Sequence, residues 1–524
     1  MLEDIPGFIV KPIASVANSW PWLSKKINAW GINDEINVCR HRPHPWSTVH
    51  DYVSWTSLTD QHWSARHLPA VYKEDLPTPE VLKDFFVRKQ GTQEFCKKST
   101  CLFPAFAQYL TDGFIRTRMP NLSAGEKDDP LRKQNSSNHH IDLCTLYGRT
   151  PEQTNQLRVR SEEKGMRGQL KSQIISDGEY SPFLYEDDGI NEKSEFSTLD
   201  KALGLDKYPD PAIRRRIFAT GGDRVNGAPQ VAMMNMLFLR EHNRIAREME
   251  KSYPAWDDER VFQTARNTMI VLFLKIVVEE YINHISPVPF RLRVDPSVAW
   301  NASWNKPSWI TTEFSLLYRW HSLIPDEIEW NGKSYPTALT LMNNQLLLDA
   351  GLVNAFADIS AQQAGRLGAF NTNAALIGFE VSAIKQGRLC NLDSYANYRA
   401  YVGLDKPKEF SDISKNKAVV DFLAAHYVSP DDVDFYIGLF AEDTGKNTPL
   451  PALLRRMVAV DAFSQALTNP LLSEHVFRPD TFSTLGWDTI QRTGSLRDIL
   501  ERNSPKGTGG ARISMTLSNW KYTW

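Results

Sequence analysis

Four long stretches, Val231 to Lys251, Asp258 to Ile285, Pro336 to Ala364 and Leu450 to Leu467, place apolar residues three and four positions apart. That spacing returns the apolar side chains to one face of a helix. Such faces are stable only against one another, so the chain must fold chiefly as packed helices. Strand signals are few and short, and Pro and Gly mark loops around 119–131, 181–192, 286–308 and 503–511. No repeat or low-complexity tract is seen. With 524 residues, 42% of them apolar and 23% charged, the chain can bury a large core. The expected architecture is an all-α catalytic domain over 46–524, preceded by a distinct amphipathic segment over 1–45.

In that segment Phe8, Ile9, Val10, Trp20, Trp22, Leu23 and Trp30 alternate with Lys11, Lys25 and Lys26, the pattern of short amphipathic helices. They either pack on the core or form a membrane-surface or substrate-access element that dips aromatic rings into a bilayer. The run Val271 to Val278 is apolar, but Lys275 interrupts it and Glu279 and Glu280 close it, so it reads as a buried helix. A net charge of −2 supplies no field to attract nucleic acid. The opening Met-Leu-Glu-Asp lacks the basic stretch of a secretory signal. Five cysteines, Cys39, Cys96, Cys101, Cys144 and Cys390, are odd in number and form no CxxC pair. Together these features fit a cytoplasmic protein, with peripheral membrane contact left open.

The segment Glu313-Phe-Ser-Leu-Leu-Tyr-Arg-Trp-His321 has Tyr318 three residues before His321, which on a helix would put them on one face. A neutral imidazole can bind haem iron, and a phenol one turn earlier would lie beside the macrocycle. Spacing alone does not separate this from an ordinary packed pair. Its surroundings do more. Leu316-Leu-Tyr-Arg-Trp-His-Ser-Leu-Ile-Pro-Asp326 resembles the radical-tyrosine and proximal-histidine segment of cyclooxygenases and fungal linoleate diol synthases. Leu239-Arg-Glu-His-Asn-Arg244 and Ile141-Asp-Leu-Cys-Thr-Leu-Tyr-Gly148 are similar to signatures of the animal haem peroxidases. His50 to Trp55, Leu76 to Pro79, Gly168 to Ile175 and Arg478 to Phe482 follow in the family's order.

The resemblance implies haem b between His321 as axial ligand and a distal helix, Phe106-Ala-Gln-Tyr-Leu-Thr-Asp112. Gln108 matches the distal glutamine of cyclooxygenases, and Asp112 stands where they carry the distal histidine. Peroxide cleavage needs a group that takes a proton from one oxygen and returns it to the other, which a carboxylate can do. Asp is the weaker base by roughly 2.6 pK units unless burial raises it. Arg224 falls at the distal arginine of mammalian peroxidases, where it would stabilise the leaving hydroxide; a purely structural ion pair is the other reading.

The carboxylates that mammalian peroxidases esterify to haem fall at Thr111 and Gly227, which implies a non-covalent cofactor. Calcium is not expected, because Gly113 and Cys144 replace ligands and only Asp142 remains of roughly six to eight oxygens. The activity implied is fatty-acid dioxygenation: oxidised Tyr318 takes hydrogen from a fatty acid, O2 adds, and a hydroperoxide forms. Arg40 and Arg42 lie near the segment that supplies the carboxylate anchor, and Ser464 resembles a channel-lining serine. A plain peroxidase and a non-catalytic haem or lipid carrier are the competing readings. His139 and His140 are read as loop residues and not a metal pair, and His242 as a hydrogen-bonded structural histidine.

Overall fold

The computed structural model describes residues 7–37, 46–89, 91–175 and 177–523. Arg40 and Arg42 lie outside the described residues. The helices that build the site are α1 (Gly7–Ser19), α2 (Pro21–Asn37), α3 (Leu102–Phe114), α4 (Pro229–Ser252), α5 (Asp258–Ile276), α6 (Thr312–Leu317), α7 (Ile377–Leu389), α8 (Ala452–Leu467) and α9 (Pro479–Arg492). The strands described pair into two-stranded antiparallel ribbons, such as Glu327–Trp330 with Lys333–Pro336. The molecule is mainly helical, as the periodicity requires.

Local chemistry explains the helix starts. Pro229 occupies the first turn of α4, where its missing N–H costs nothing, and the Asp257 carboxylate accepts from the Arg260 N–H at 2.8 Å to cap α5. α4 and α5 pack side by side through Val231, Met234, Phe238, Phe262, Met269 and Phe273, all buried. α9 crosses α5 where Gly486 permits close approach, since a Cβ there would stand 2.5 Å from Thr268 Oγ1. The stretch Asp258–Ile285 is apolar and long enough to cross a membrane, yet 78% of its apolar window is buried inside the fold. It is the core helix, continued by a π-helical turn over Val277–Ile282 that carries Tyr281.

One helix expectation fails. Pro336 to Ala364 is not continuous but splits into Thr337–Thr340, Gln345–Ala350 and Leu352–Ala361. Met342 at φ 57° and Gly351 at φ 74° adopt left-handed backbone that no α-helix contains.

α1 and α2 bury one face and expose the other. Val10, Ala14 and Ala17 cluster with Phe290, while Ile13, Val16, Trp20, Trp22 and Trp30 face outward. Asn18 and Asn28 fix the pair by donating to the carbonyls of Pro289 and Arg293 at 3.0 and 3.1 Å.

Candidate active site

α3 lies within the core, and Gln108 alone of its thirteen residues is exposed. A polar side chain exposed in the middle of a buried helix marks the wall of an open cavity. A space of about 300 Å³ beside it is lined by Pro104, Gln108, Gln230, Ile324 and Pro325, which brings α3 against the segment following His321. On the opposite face Tyr109 donates to Asn235 Oδ1 at 3.0 Å and ties α3 to α4.

Asp112 follows one turn after Gln108 and is buried. Its Oδ1 stands 3.5 Å from Arg224 Nη1, and its Oδ2 has no hydrogen-bond partner. Loss of hydration pushes this carboxyl up to about 6, against the opposing pull of the Arg224 cation. Burial thus removes most of the basicity deficit expected of an aspartate in a histidine's place. Arg224 is held in turn by donation to the Ile115 carbonyl at 2.9 Å.

Thr311 caps α6 by accepting from the Phe314 N–H at 3.0 Å, and the helix stops at Tyr318. Tyr318 and His321 therefore do not share a helical face. Tyr318 (φ −98°, ψ 22°) and Trp320 (φ −94°, ψ 41°) leave the helical region, and a short 3-10 turn begins at His321. This break suits the two side chains to different surroundings. The Tyr318 ring stacks on Trp320 with centroids 4.9 Å apart and meets Phe314 edge-on at 5.1 Å. Its hydroxyl is buried beside that of Tyr281. Burial pushes the Tyr318 phenol well above its ordinary range, so it is a neutral phenol at any physiological pH.

His321 lies 3.1 Å through Nδ1 from Glu380 Oε1, and its ring stacks on Phe379 at 5.2 Å. Nδ1–H donating to a carboxylate fixes the tautomer and leaves a lone pair on Nε2, which takes no hydrogen bond among the described residues. Glu380, on α7, is 1% exposed and also accepts from Thr372 Oγ1 at 3.0 Å and from the Tyr436 hydroxyl. Arg319, between the two key residues, donates to Ser315 Oγ at 3.3 Å and has a buried Nε without partner. Its guanidinium is held below its usual range by burial and by repulsion from Arg224.

These residues fit a haem. An imidazole with no hydrogen bond on Nε2 among the described residues is followed by a segment that lines the same space as the exposed Gln108 amide, and Asp112, one helical turn on from Gln108, carries a buried oxygen without a partner. The family profile described as animal haem peroxidase matches residues 113–514. The chain belongs to the animal haem peroxidase family. It is 30% identical to prostaglandin G/H synthase 1 of Rattus norvegicus over 478 residues, 88% of this chain and 74% of that protein. It is 27% identical to prostaglandin G/H synthase 2 of Equus caballus, over 94% of this chain and 79% of that one. The fold is shared with the fatty acid alpha-dioxygenase of Oryza sativa (TM-score 0.68, 16% identity, 87% of this chain and 84% of that one). It is shared as well with peroxidase A of Dictyostelium discoideum (TM-score 0.69, 17% identity, 91% and 100%). The chain is accordingly a haem peroxidase or dioxygenase-type oxidoreductase.

The other residues singled out in the sequence are placed as follows. Ser464 is fully buried and its hydroxyl donates to the Asp461 carbonyl at 3.1 Å; its neighbour Phe463, not Ser464, lines the nearby apolar cavity. Thr111 returns its hydroxyl to the Ala107 carbonyl at 3.0 Å. Asp142 accepts from the Cys144 N–H at 2.9 Å and from Asn138 at 2.6 Å. His139 and His140 sit outside helices and strands, and His139 Nδ1 accepts from the Ile310 N–H at 2.7 Å. His242 is buried between the Tyr147 hydroxyl at 2.9 Å and the Gly168 carbonyl at 2.8 Å, the structural role expected.

Sequence reading missed Glu380 and Arg455. The second, on α8, is a buried arginine in the wall of a pocket with Ile27, Ile282, Ile285, Val458 and Phe463 among the other lining residues.

Proposed function

We propose that the protein is a haem-dependent fatty-acid dioxygenase, converting an unsaturated fatty acid and O2 to a hydroperoxide through a radical on Tyr318, with peroxidase activity at the same haem. The observation that carries this reading is the Tyr318 hydroxyl, buried beside the Tyr281 hydroxyl three residues from an imidazole whose Nδ1 is held by a carboxylate. Non-covalent haem b, bound through His321 Nε2 and oxidised by peroxide, would supply the one-electron oxidising power. Asp112 takes a proton from one peroxide oxygen and returns it to the other, while Gln108 and Arg224 hold the leaving oxygen. Tyr318 gives up an electron and its phenolic proton, then takes a hydrogen atom from substrate carbon. O2 adds to that carbon, and the peroxyl group recovers hydrogen from Tyr318, so the net change is RH + O2 → ROOH.

Support for a fatty acid comes from the pocket behind α8, where apolar side chains surround a buried arginine. One solved structure of the rice dioxygenase contains palmitic acid. We assign the carboxylate to Arg455, in place of Arg40 and Arg42. Along α8, Asp461, whose charge reaches Tyr318, lies about 9 Å from Arg455 at 1.5 Å per residue. That separation favours reaction in the middle of the chain over reaction beside the carboxylate. Arg455→Leu is expected to raise KM for linoleate about 10- to 100-fold, the loss of one charge-assisted hydrogen bond, with phenol oxidation unchanged. The outward Trp20, Trp22 and Trp30, with Lys25 and Lys26 beside them, would rest this end of the cavity on a lipid surface.

Incubation with a panel of fatty acids, followed by mass spectrometry and oxygen-electrode measurement, tests the assignment. A mid-chain hydroperoxide is expected. Peroxide-driven oxidation of phenols without oxygen uptake on any fatty acid would make the protein a plain peroxidase.

A further inference from the structure

The Glu380 carboxylate is 1% exposed, and all three groups that reach it can donate. His321 Nδ1 and Thr372 Oγ1 meet Oε1 at 3.1 and 3.0 Å, and the Tyr436 hydroxyl meets Oε2. A histidine bound to metal through Nε2 keeps its proton on Nδ1 and can only donate, so Glu380 Oε1 is the accepting oxygen, and both hydroxyls are able to donate to the carboxylate as well. We propose that Glu380 is a positioning residue that makes His321 a strongly electron-donating ligand. The inference rests on His321 being the axial ligand.

The physical consequence follows from the hydrogen bond. An anion 3.1 Å from Nδ1 draws the ring proton toward itself and shifts electron density to Nε2. A more anionic imidazole stabilises higher iron oxidation states over lower ones, which favours reaction with peroxide and holds the resting metal ferric. The surroundings fix the geometry. Thr372 and Tyr436 donate to the same carboxylate and restrain its rotation away from His321. Phe379 stacks on the imidazole and restricts its rotation. A carboxylate serving only to neutralise a buried cation would require no orientation of this kind, because His321 need not be charged.

The test uses haem-loaded Glu380→Gln and Glu380→Asp proteins. In Glu380→Gln the ferric/ferrous midpoint potential should move to more positive values, and the iron–imidazole stretch in the ferrous resonance Raman spectrum should fall. Reaction with peroxide should slow by about 10- to 100-fold, and Glu380→Asp should recover part of each change. A folded, haem-loaded Glu380→Gln with wild-type potential and stretch would overturn the proposal. Should that variant fail to fold, His321→Gly supplied with imidazole or with 1-methylimidazole gives the same information. The methylated ligand binds iron but has no N–H for Glu380, so its complex should show the more positive potential; equal potentials would contradict the proposal. His321→Ala with an unaltered haem spectrum would instead remove the axial assignment itself.

Discussion

Two buried carboxylates, Glu380 beside His321 and Asp112 beside Arg224, are handled in opposite ways. Glu380 has three hydrogen-bond donors on its two oxygens, whereas Asp112 has one long contact to Arg224 and an oxygen with none. Burial costs a carboxylate its hydration in either place, and only donors restore it. Asp112, with few, is pushed up to about 6, into the range where a group both accepts and releases a proton at neutral pH. The saturated carboxylate is suited to hold a ligand in place; the under-saturated one is suited to proton transfer.

Removing the titratable group from the distal side should show the largest effect. Asp112→Asn is expected to slow the spectral change of the haem on mixing with peroxide by about 100-fold or more, measured by stopped flow, while Asp112→His retains the rate. An asparagine variant as fast as wild type would erase the functional difference between the two carboxylates.

The pH dependence sharpens the contrast. The base form of Asp112 is the anion, so the peroxide reaction should rise with pH through a midpoint near 6. Arg224→Met removes the cation that favours the anion, and the midpoint should move upward. A midpoint that stays in place would detach Arg224 from Asp112.

The smallest effect is on stability, and its sign is opposite to that of an ordinary salt bridge. A carboxyl raised in the folded protein favours the protonated state, so it costs stability above pH 6 and nothing below its unfolded value. Asp112→Asn should therefore stabilise the protein at pH 7 by on the order of 1 kcal/mol, and the gain should vanish near pH 4. Chemical denaturation of the two proteins at both pH values measures it.

Much of this was legible in the chain itself. The apolar periods over Val231–Lys251 and Leu450–Leu467 fall within a few residues of α4 and α8, because long amphipathic helices leave a repeating signal. The local motif around His321 was equally plain. Glu380 was not, since it lies 59 residues from His321 and is brought there only by the packing of α7. The break at Tyr318 was hidden because Leu, Tyr and Trp are compatible with a helix, and tertiary aromatic contacts override that preference. Ser464 failed as a channel residue because a face cannot be assigned across a gap in a resemblance, where each residue turns the helix by roughly 100°.

The central claim concerns the Tyr318 hydroxyl, and oxygen uptake with linoleate by Tyr318→Phe tests it most directly. Phenylalanine keeps the ring that stacks on Trp320 and meets Phe314, and the removed hydroxyl gives up only its contact with the Tyr281 hydroxyl. Haem binding and peroxide-driven oxidation of a small phenol should therefore persist, while oxygen uptake falls to background. Oxygen uptake undiminished in Tyr318→Phe would contradict the account.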